Sequence, residues 1–588
     1  MRWRARRGFA VVSMAGLLVV LVVALGYGQS TTPSSRELKR LVRMSPVPPD
    51  PGEGPATAAG QARVGNAPTE EAETGTNVQV SKRQRPGDSL RVGASETTLA
   101  STPDGQKLVA GWNDGEGFAF APFGPPPALG LSGFGVSTNG GASWTDAGAP
   151  PPGSVVALGP GRRGQSATGR YVTRGDPWLA AAGTGKGETT FYFSNLAVWE
   201  DQDPAGPPAG VSVHRGRFSG KGFAWTDAVL LQSPNYPDDF LDKEAMTADG
   251  SAVYVTVTNF IELCRQPFFG FGQIELYRSL DGGTTWSRRI VQPDEAFVTD
   301  PKDPTCGQDG IVNQGSAPAV GPSGELYIVW ERGWFAPLLG GGPTGLPRAT
   351  IAFRRSLDQG QSFGPRRTLV SLCSGALHPP AGYNRTVTND FPRIDVIRTG
   401  KHAGRILVTY QDCRAAAGAA PFGQDTDVYV IFSDDQGEHW SAPVPLHRRA
   451  DRRIQFWPAV AVDERGVATV VYYQSREVNV TKDPNDLECS VRVGGPLDNP
   501  ILRQSRVSSL VDVFLVRSLD GGQTWSSPVR VTTRTTNWCR ATPLNSIIPN
   551  FGDYIDVRTA KDRALITWAD GRNNGAVNLI PTVFFAQH

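Results

Sequence analysis

The sequence predicts an all-β fold, a ring of seven four-stranded blades, and three observations carry that prediction. The first is composition: 68 Gly and 47 Pro in 588 residues interrupt helix interiors too often for a helical protein and favour short strands joined by turns. The second is a turn motif that recurs along the chain. The third is the strand pattern around it, whose two chain ends complement each other.

The motif is Ser-x-Asp-x-Gly-x-x-Trp. Three full copies are Ser279/Asp281/Gly283/Trp286, Ser433/Asp435/Gly437/Trp440 and Ser518/Asp520/Gly522/Trp525, and two variants are Ser137/Asn139/Gly141/Trp144 and Ser356/Asp358/Gly360/Phe363. Each residue type has a physical task. The Asp or Asn side chain bonds backbone amides inside the turn, Gly permits positive φ, and the aromatic ring plugs the neighbouring core. Such a box closes a hairpin.

Successive boxes lie roughly 80 residues apart, except that the first gap is about twice as long, the spacing of a blade-sized repeat. A degenerate unit is therefore predicted in that gap, where SGKGFAWTDAVLL occupies residues 219–231. Within a unit the apolar runs FWPAVAVD, VATVVYYQ and VDVFLVRS precede the box and SSPVRVT follows it. Four strands per unit describe a propeller blade. After the last box GDYIDV, ALITWAD and TVFFAQ give three strands without a fourth, and Asn77–Ser81 (NVQVS) offers one at the other end of the chain. That strand would complete the last sheet and leave it no open edge. Seven blades result, with six as the alternative.

The chain opens with MRWRARR and then an uncharged run, FAVVSMAGLLVVLVVALG. Positive charge before an apolar run reads as an export signal or an N-terminal anchor. The predicted organisation is a signal peptide or anchor over 1–28, a Pro/Gly/Ala-rich tether over 29–76 and the propeller over 77–588. The folded part is expected outside the cytoplasm, secreted or anchored, with the membrane touched only through the N-terminal segment and the protein monomeric. A formal net charge of +2 lacks the basic excess on which phosphate-backbone binding depends, so nucleic acid is excluded as a partner.

The boxes resemble the Asp-box, or bacterial neuraminidase, repeats, and the resemblance extends over residues 77–588. In that family the boxes lie on the rim, at the turn between the third and fourth strands of a blade. This implies a structural role for Ser137, Asn139, Ser279, Asp281, Ser356, Asp358, Ser433, Asp435, Ser518 and Asp520. The superfamily includes secreted sialidases and other glycoside hydrolases, so the resemblance implies glycan-directed chemistry. Its sialidases bind the substrate carboxylate with three arginines and use a Tyr nucleophile paired with Glu and an Asp acid/base. Their first arginine lies in a Phe/Tyr-Arg-Ile-Pro motif, which is absent here; Phe391-Pro392-Arg393-Ile394 has similar letters in another order and in a middle blade.

If boxes occupy one face, the loops entering first strands and leaving second strands share the other. That face gathers Asp176, Asp242, Lys243, Glu244, Asp390, Asp553 and Tyr554 at strand entries, and Glu331, Arg332, Asp412, Arg414, Arg476, Asp570 and Arg572 at second-strand ends. Tyr554, Asp553, Asp242 and Glu244 are the candidate catalytic residues. Arg414, Arg476, Arg572, Asp176, Asp390 and Asp570 are the candidates for binding an acidic sugar, Arg acting as a bidentate fork. The same residues also suit ion pairs between blades. Two functions follow: an exo-glycosidase of sialidase type, or a non-catalytic cell-surface propeller that binds a glycan, peptide or protein.

The six cysteines, Cys264, Cys306, Cys373, Cys413, Cys489 and Cys539, all map to that same face. An even count in an exported protein predicts disulfides, taken here as sequential pairs. No Cys or His spacing matches a zinc site, so no metal and no cofactor are expected.

Overall fold

The computed structural model describes residues 76–82, 93–114, 130–159, 169–183, 187–201, 208–262, 270–300, 303–334, 349–372, 389–412, 426–447, 453–478, 510–538, 551–572 and 581–588. Among these residues there are strands and turns but no α-helix. The strands form seven sheets arranged as a ring.

Blade 1 is Ser95–Ser101, Leu108–Asn113, Ser132–Ser137 and Thr145–Gly148. Blade 2 is Trp178–Gly183, Thr189–Trp199, Gly210–Ser219 and Gly222–Leu231, widened by Val155–Leu158 and Tyr171–Thr173. Its third-to-fourth turn falls within residues 219–231, so the degenerate unit is a blade. Blade 3 comprises Asp239–Asp249, Ala252–Glu262, Gly270–Ser279 and Ser287–Gln292. Blade 4 comprises Asp303–Val320, Leu326–Trp334, Ala349–Ser356 and Arg367–Leu372, with Glu295–Asp300 added beside the first. Blade 5 is Arg393–Val396, Ile406–Asp412, Asp427–Ser433 and Val444–Pro445. Blade 6 is Arg453–Val462, Ala468–Val478, Leu510–Ser518 and Val529–Arg530, and Thr536–Asn537 pairs with its third strand.

Blade 7 joins the chain ends. Asp556–Ala560, Arg563–Asp570 and Thr582–Gln587 take Val78–Gln79 as their outer strand, Val78 opposite Phe585 and Gln79 opposite Phe584. The ring is closed as the chain-end pattern predicts. Asn77 fastens the same strand to blade 6, where its amide donates to the Val531 carbonyl (3.0 Å) and its side-chain oxygen accepts from the Thr533 amide (2.7 Å).

The core lies between blades. Phe134 and Leu179 pack between blades 1 and 2, Leu241 and Val213 between 2 and 3, Leu276 and Ile328 between 3 and 4, and Ile351 and Val408 between 4 and 5. Leu407 and Val470 fill the next interface, Val513 and Ile566 the next, and Leu108 with Phe585 the last. Each blade therefore buries both faces only when its neighbours are present.

The boxes are rim turns with one repeated bond set. In the blade 3 box, Ser279 Oγ donates to Asp281 Oδ1 (2.7 Å) and accepts from the Gly283 amide (2.8 Å), while the Thr285 amide donates to Asp281 Oδ1 (2.9 Å). The same three bonds recur from Ser137, Ser356, Ser433 and Ser518. Box glycines also permit the approach of the preceding blade: a Cβ on Gly141 would stand 2.1 Å from the Phe585 ring, and one on Gly437 2.3 Å from Phe353.

Candidate functional site at the inner-strand entries

Side chains on the face opposite the boxes are aimed by a backbone irregularity repeated around the ring. Where inner strands begin, pairing slips between Ser95 and Thr98, Asp242 and Ala245, Gln314 and Ala317, and Phe456 and Ala459. The residue inside each slip has positive φ: Glu96 (51°), Lys243 (50°), Gly315 (64°) and Trp457 (48°). Asp176 (53°) and Gly552 (92°) hold the same conformation ahead of the inner strands of blades 2 and 7. Positive φ costs a non-glycine residue roughly 1–3 kcal/mol, and bulges of this kind turn side chains out of the regular strand alternation. Gly552 is required by contact as well, since its Cβ would lie 2.3 Å from the Glu96 amide nitrogen.

The outcome is a cluster drawn from blades 1, 2, 3 and 7. Lys243 Nζ lies 2.7 Å from Asp553 Oδ2, 3.0 Å from Asp176 Oδ2 and 3.3 Å from Glu96 Oε1. Burial alone would discharge this ammonium, but Asp176, Asp553, Glu96 and Asp242 outweigh it and hold its pKa well above the usual lysine value. Asp242 and Glu244 flank Lys243 and are both buried. Burial, reinforced by the Asp176 carboxylate and opposed by Lys243, pushes Asp242 up to about 7. Glu244 is raised well above the usual carboxylate range by burial and then by Asp176 and Asp242. Asp242 Oδ2 and both Glu244 carboxyl oxygens make no hydrogen bond among the described residues.

A second group bridges the ring from blade 5. The guanidinium of Arg393 stacks on Trp178 of blade 2 (4.6 Å to the ring centroid) and on Tyr554 of blade 7 (5.1 Å). Its pKa falls to about 10 through burial, which Tyr554 and Asp556 oppose. The Tyr554 hydroxyl donates to the Pro177 carbonyl (2.9 Å), and the phenol is raised well above its ordinary pKa by burial and then by Glu96, Asp176 and Glu244. The phenol is thereby kept protonated.

Four candidate catalytic residues, Tyr554, Asp553, Asp242 and Glu244, and the candidate Asp176 are thus brought together from three separate loops. Asp390 stands elsewhere on the same face: its amide donates to Glu331 Oε2 (3.0 Å) and its Oδ1 accepts from Gln411 (2.8 Å). Burial, then Asp390, raises Glu331 to about 8. Asp570 and Arg572 pair with each other, and Arg572 also donates to Asn77 (2.6 Å) and Thr533 (2.7 Å), while Asp570 accepts from Thr536 (2.8 Å). These contacts clamp blade 7 to blade 6 and to the closing strand. Arg414 lies outside the described residues, as does the side chain of Arg476. The disulfide expectation falls there too, because no cysteine side chain is among those described; Cys306 sits within the first strand of blade 4.

Glu96, Trp178 and Arg393 belong to the cluster without having been singled out as site residues by the sequence. Glu96 sits inside the strand-like run SETTLAS, and nothing in that run announces a bulge. Arg393 does carry a signal: Arg393-Ile394-Asp395-Val396 and Tyr554-Ile555-Asp556-Val557 match where the inner strands of blades 5 and 7 begin. In both copies the Asp ties its blade to the next, Asp395 accepting from the Val462 amide (2.7 Å) and Asp556 from the Leu99 amide (2.9 Å). The first residues of the two copies meet each other, Arg393 over Tyr554. Among the described residues no group of His, Cys, Asp and Glu is arranged to hold a metal ion.

No protein-family model and no curated protein matches the chain. Solved structures do. The GH93 α-L-arabinofuranosidase of Fusarium graminearum, in complex with arabinobiose, aligns at 14% identity and TM-score 0.38, covering 67% of this chain and 92% of that one. The α-L-arabinanase of Penicillium chrysogenum aligns at 14% identity and TM-score 0.36 over 71% and 99% of the two chains. The leech intramolecular trans-sialidase aligns at 11% identity and TM-score 0.33 over 87% and 97%. Each of these proteins is named for an activity on glycans. Identities and TM-scores this low carry no weight for chemistry, which rests on the geometry of the cluster.

Proposed function

We propose that this protein is an extracytoplasmic propeller that hydrolyses glycosidic bonds at the inner-strand entries of blades 1, 2, 3 and 7. One observation carries the reading: a single cluster holds one carboxyl group raised in pKa by burial and another paired with an ammonium. Asp242 is pushed up to about 7 and retains a proton near neutrality, whereas Asp553 lies against the Lys243 ammonium. Hydrolysis of a glycoside needs that division between acid and carboxylate.

In this scheme Asp242 gives its proton to the glycosidic oxygen as the bond from that oxygen to the anomeric carbon breaks. Asp553 stabilises the positive charge developing on the sugar, either by bonding to the anomeric carbon or by taking a proton from the attacking water. Water supplies the new hydroxyl. Tyr554, protonated and bonded to Pro177, serves as a wall that stacks Arg393.

The test is release of chromophore from a panel of aryl glycosides by the full chain, beside Asp242→Asn and Asp553→Asn. Loss of roughly 100-fold or more in each folded variant supports the assignment, in line with the usual contribution of a positioned acid or base. A folded protein that binds glycans and cleaves none would be a binding propeller instead.

A further inference from the structure

The charge of the cluster bears on what the bound sugar carries. Carboxyl groups of Glu96, Asp176, Asp242, Glu244 and Asp553 meet the cations Lys243 and Arg393, and Arg174, buried ahead of the blade 2 inner strand, lies within electrostatic reach of Asp242. Lys243 is engaged by Glu96, Asp176 and Asp553, and Arg393 rests on two ring faces. Asp242 and Glu244 form no ion pair among the described residues. Their orphan oxygens, Asp242 Oδ2 with Glu244 Oε1 and Oε2, are buried, and a buried carboxyl oxygen without a donor is a costly arrangement. Glu244 is 3% exposed; Asp176 and Asp242 both help to raise its carboxyl, and it in turn helps to raise the Tyr554 phenol. Asp176, whose side chain is 15% exposed, is where the cluster meets solvent.

The cluster also accepts cations from its own chain, one ammonium among carboxylates and one guanidinium over aromatic rings, the two ways in which proteins hold organic cations. We propose that the site takes a glycan bearing an unsubstituted amine, a 2-amino-2-deoxy sugar, with its ammonium beside the Asp176 carboxylate and donating to the Glu244 oxygens that lack a donor among the described residues, which leaves Asp242 free to act as the acid. This replaces the acidic sugar expected from the sequence. Of the arginines expected to bind it, Arg572 is engaged by Asp570 and Asn77 and Arg414 and the Arg476 side chain lie outside the described residues, whereas carboxyl groups predominate in the described cluster.

The inference rests on the reading of the ligand as a sugar, and not on bond cleavage. It is tested by titration calorimetry of the full chain with fully de-N-acetylated chitotriose, its N-acetylated counterpart and trigalacturonate. The free-amine trisaccharide is expected to bind at least about ten-fold more tightly than either, a difference of about 1.4 kcal/mol. Glu244→Gln, which keeps the shape of the side chain, is expected to remove that preference at an unchanged melting temperature. Because the ligand contrast is made first on the unaltered protein, it stands even if the variant misfolds. Equal binding of the amine and its N-acetyl form, or no binding of either, overturns the proposal, and tighter trigalacturonate would assign a sugar carboxylate to Arg393. Amine-selective binding without turnover would sustain the inference and sink the hydrolase; cleavage of neutral glycosides with no amine preference would do the reverse.

Discussion

Lys243 Nζ of blade 3 lies 2.7 Å from Asp553 Oδ2 of blade 7, and both side chains are more than nine-tenths buried. Blades 3 and 7 are not neighbours in the ring; blades 1 and 2 lie between them and supply Glu96 and Asp176 to the same ammonium. Removing the ammonium would strand the carboxylates of Asp553, Glu96 and Asp176 together. Lys243→Met is therefore expected to cost about 3–5 kcal/mol in denaturant unfolding, the usual penalty for breaking a buried ion pair from one side. Loss below about 1 kcal/mol would mean that water or protons replace the lysine freely.

Asp242 gives stability a pH dependence whose sign is fixed. Its folded pKa, about 7, lies above the ordinary value of 3.8, so the folded chain binds the extra proton. The stabilisation is complete below the unfolded pKa and is lost as pH rises through about 7. Asp242→Asn cannot lose that proton. Unfolding at about pH 5 and about pH 8 is expected to show the variant gaining on the parent by a few kcal/mol at the higher pH, and a constant difference would show that Asp242 is not so shifted.

Ser279 supports its box without touching the cluster. Its Oγ accepts from the Gly283 amide (2.8 Å) and donates to Asp281 (2.7 Å). Ser279→Ala leaves the buried Gly283 amide unpaired, and the expected loss is about 1–3 kcal/mol, read by thermal melting, with turnover of aryl glycosides at low temperature unchanged.

The closing strand is expected to be indispensable. A chain truncated to begin at residue 76 keeps Asn77, Val78 and the buried Val80, whereas one beginning at residue 83 opens the edge of Thr582–Gln587 and takes Asn77 from Arg572. The shorter chain is predicted to melt at a markedly lower temperature and to be cut by protease in blade 7. Equal melting of the two chains would refute the closure as a source of stability.

These expectations also mark what the sequence made legible. The blade count was readable because box spacing and strand runs are local, and the complementary ends required only counting. The convergence of Asp242, Glu244, Asp553 and Tyr554 followed from placing strand entries on one face. Glu96 was hidden because its place beside Lys243 depends on a bulge and on Gly552 packing against it, neither of which changes the apolar pattern of SETTLAS. Arg393 was legible only as a repeat, through the Ile-Asp-Val that follows both it and Tyr554. Arg572 and Asp570 show a different limit: the residue types suit an acidic ligand, and the partners of Arg572, Asn77 and Thr533, come from beside the closing strand and from blade 6, a juxtaposition that only the closed ring creates.

The most direct test of the central claim is the pH dependence of kcat/KM for the aryl glycoside that the full chain cleaves fastest. The account predicts a fall in rate above about pH 7 as Asp242 surrenders its proton, and the disappearance of that limb, with most of the rate, in Asp242→Asn. Turnover that is independent of pH between about 5 and 9, or that survives the substitution, would contradict the assignment of Asp242 as the acid.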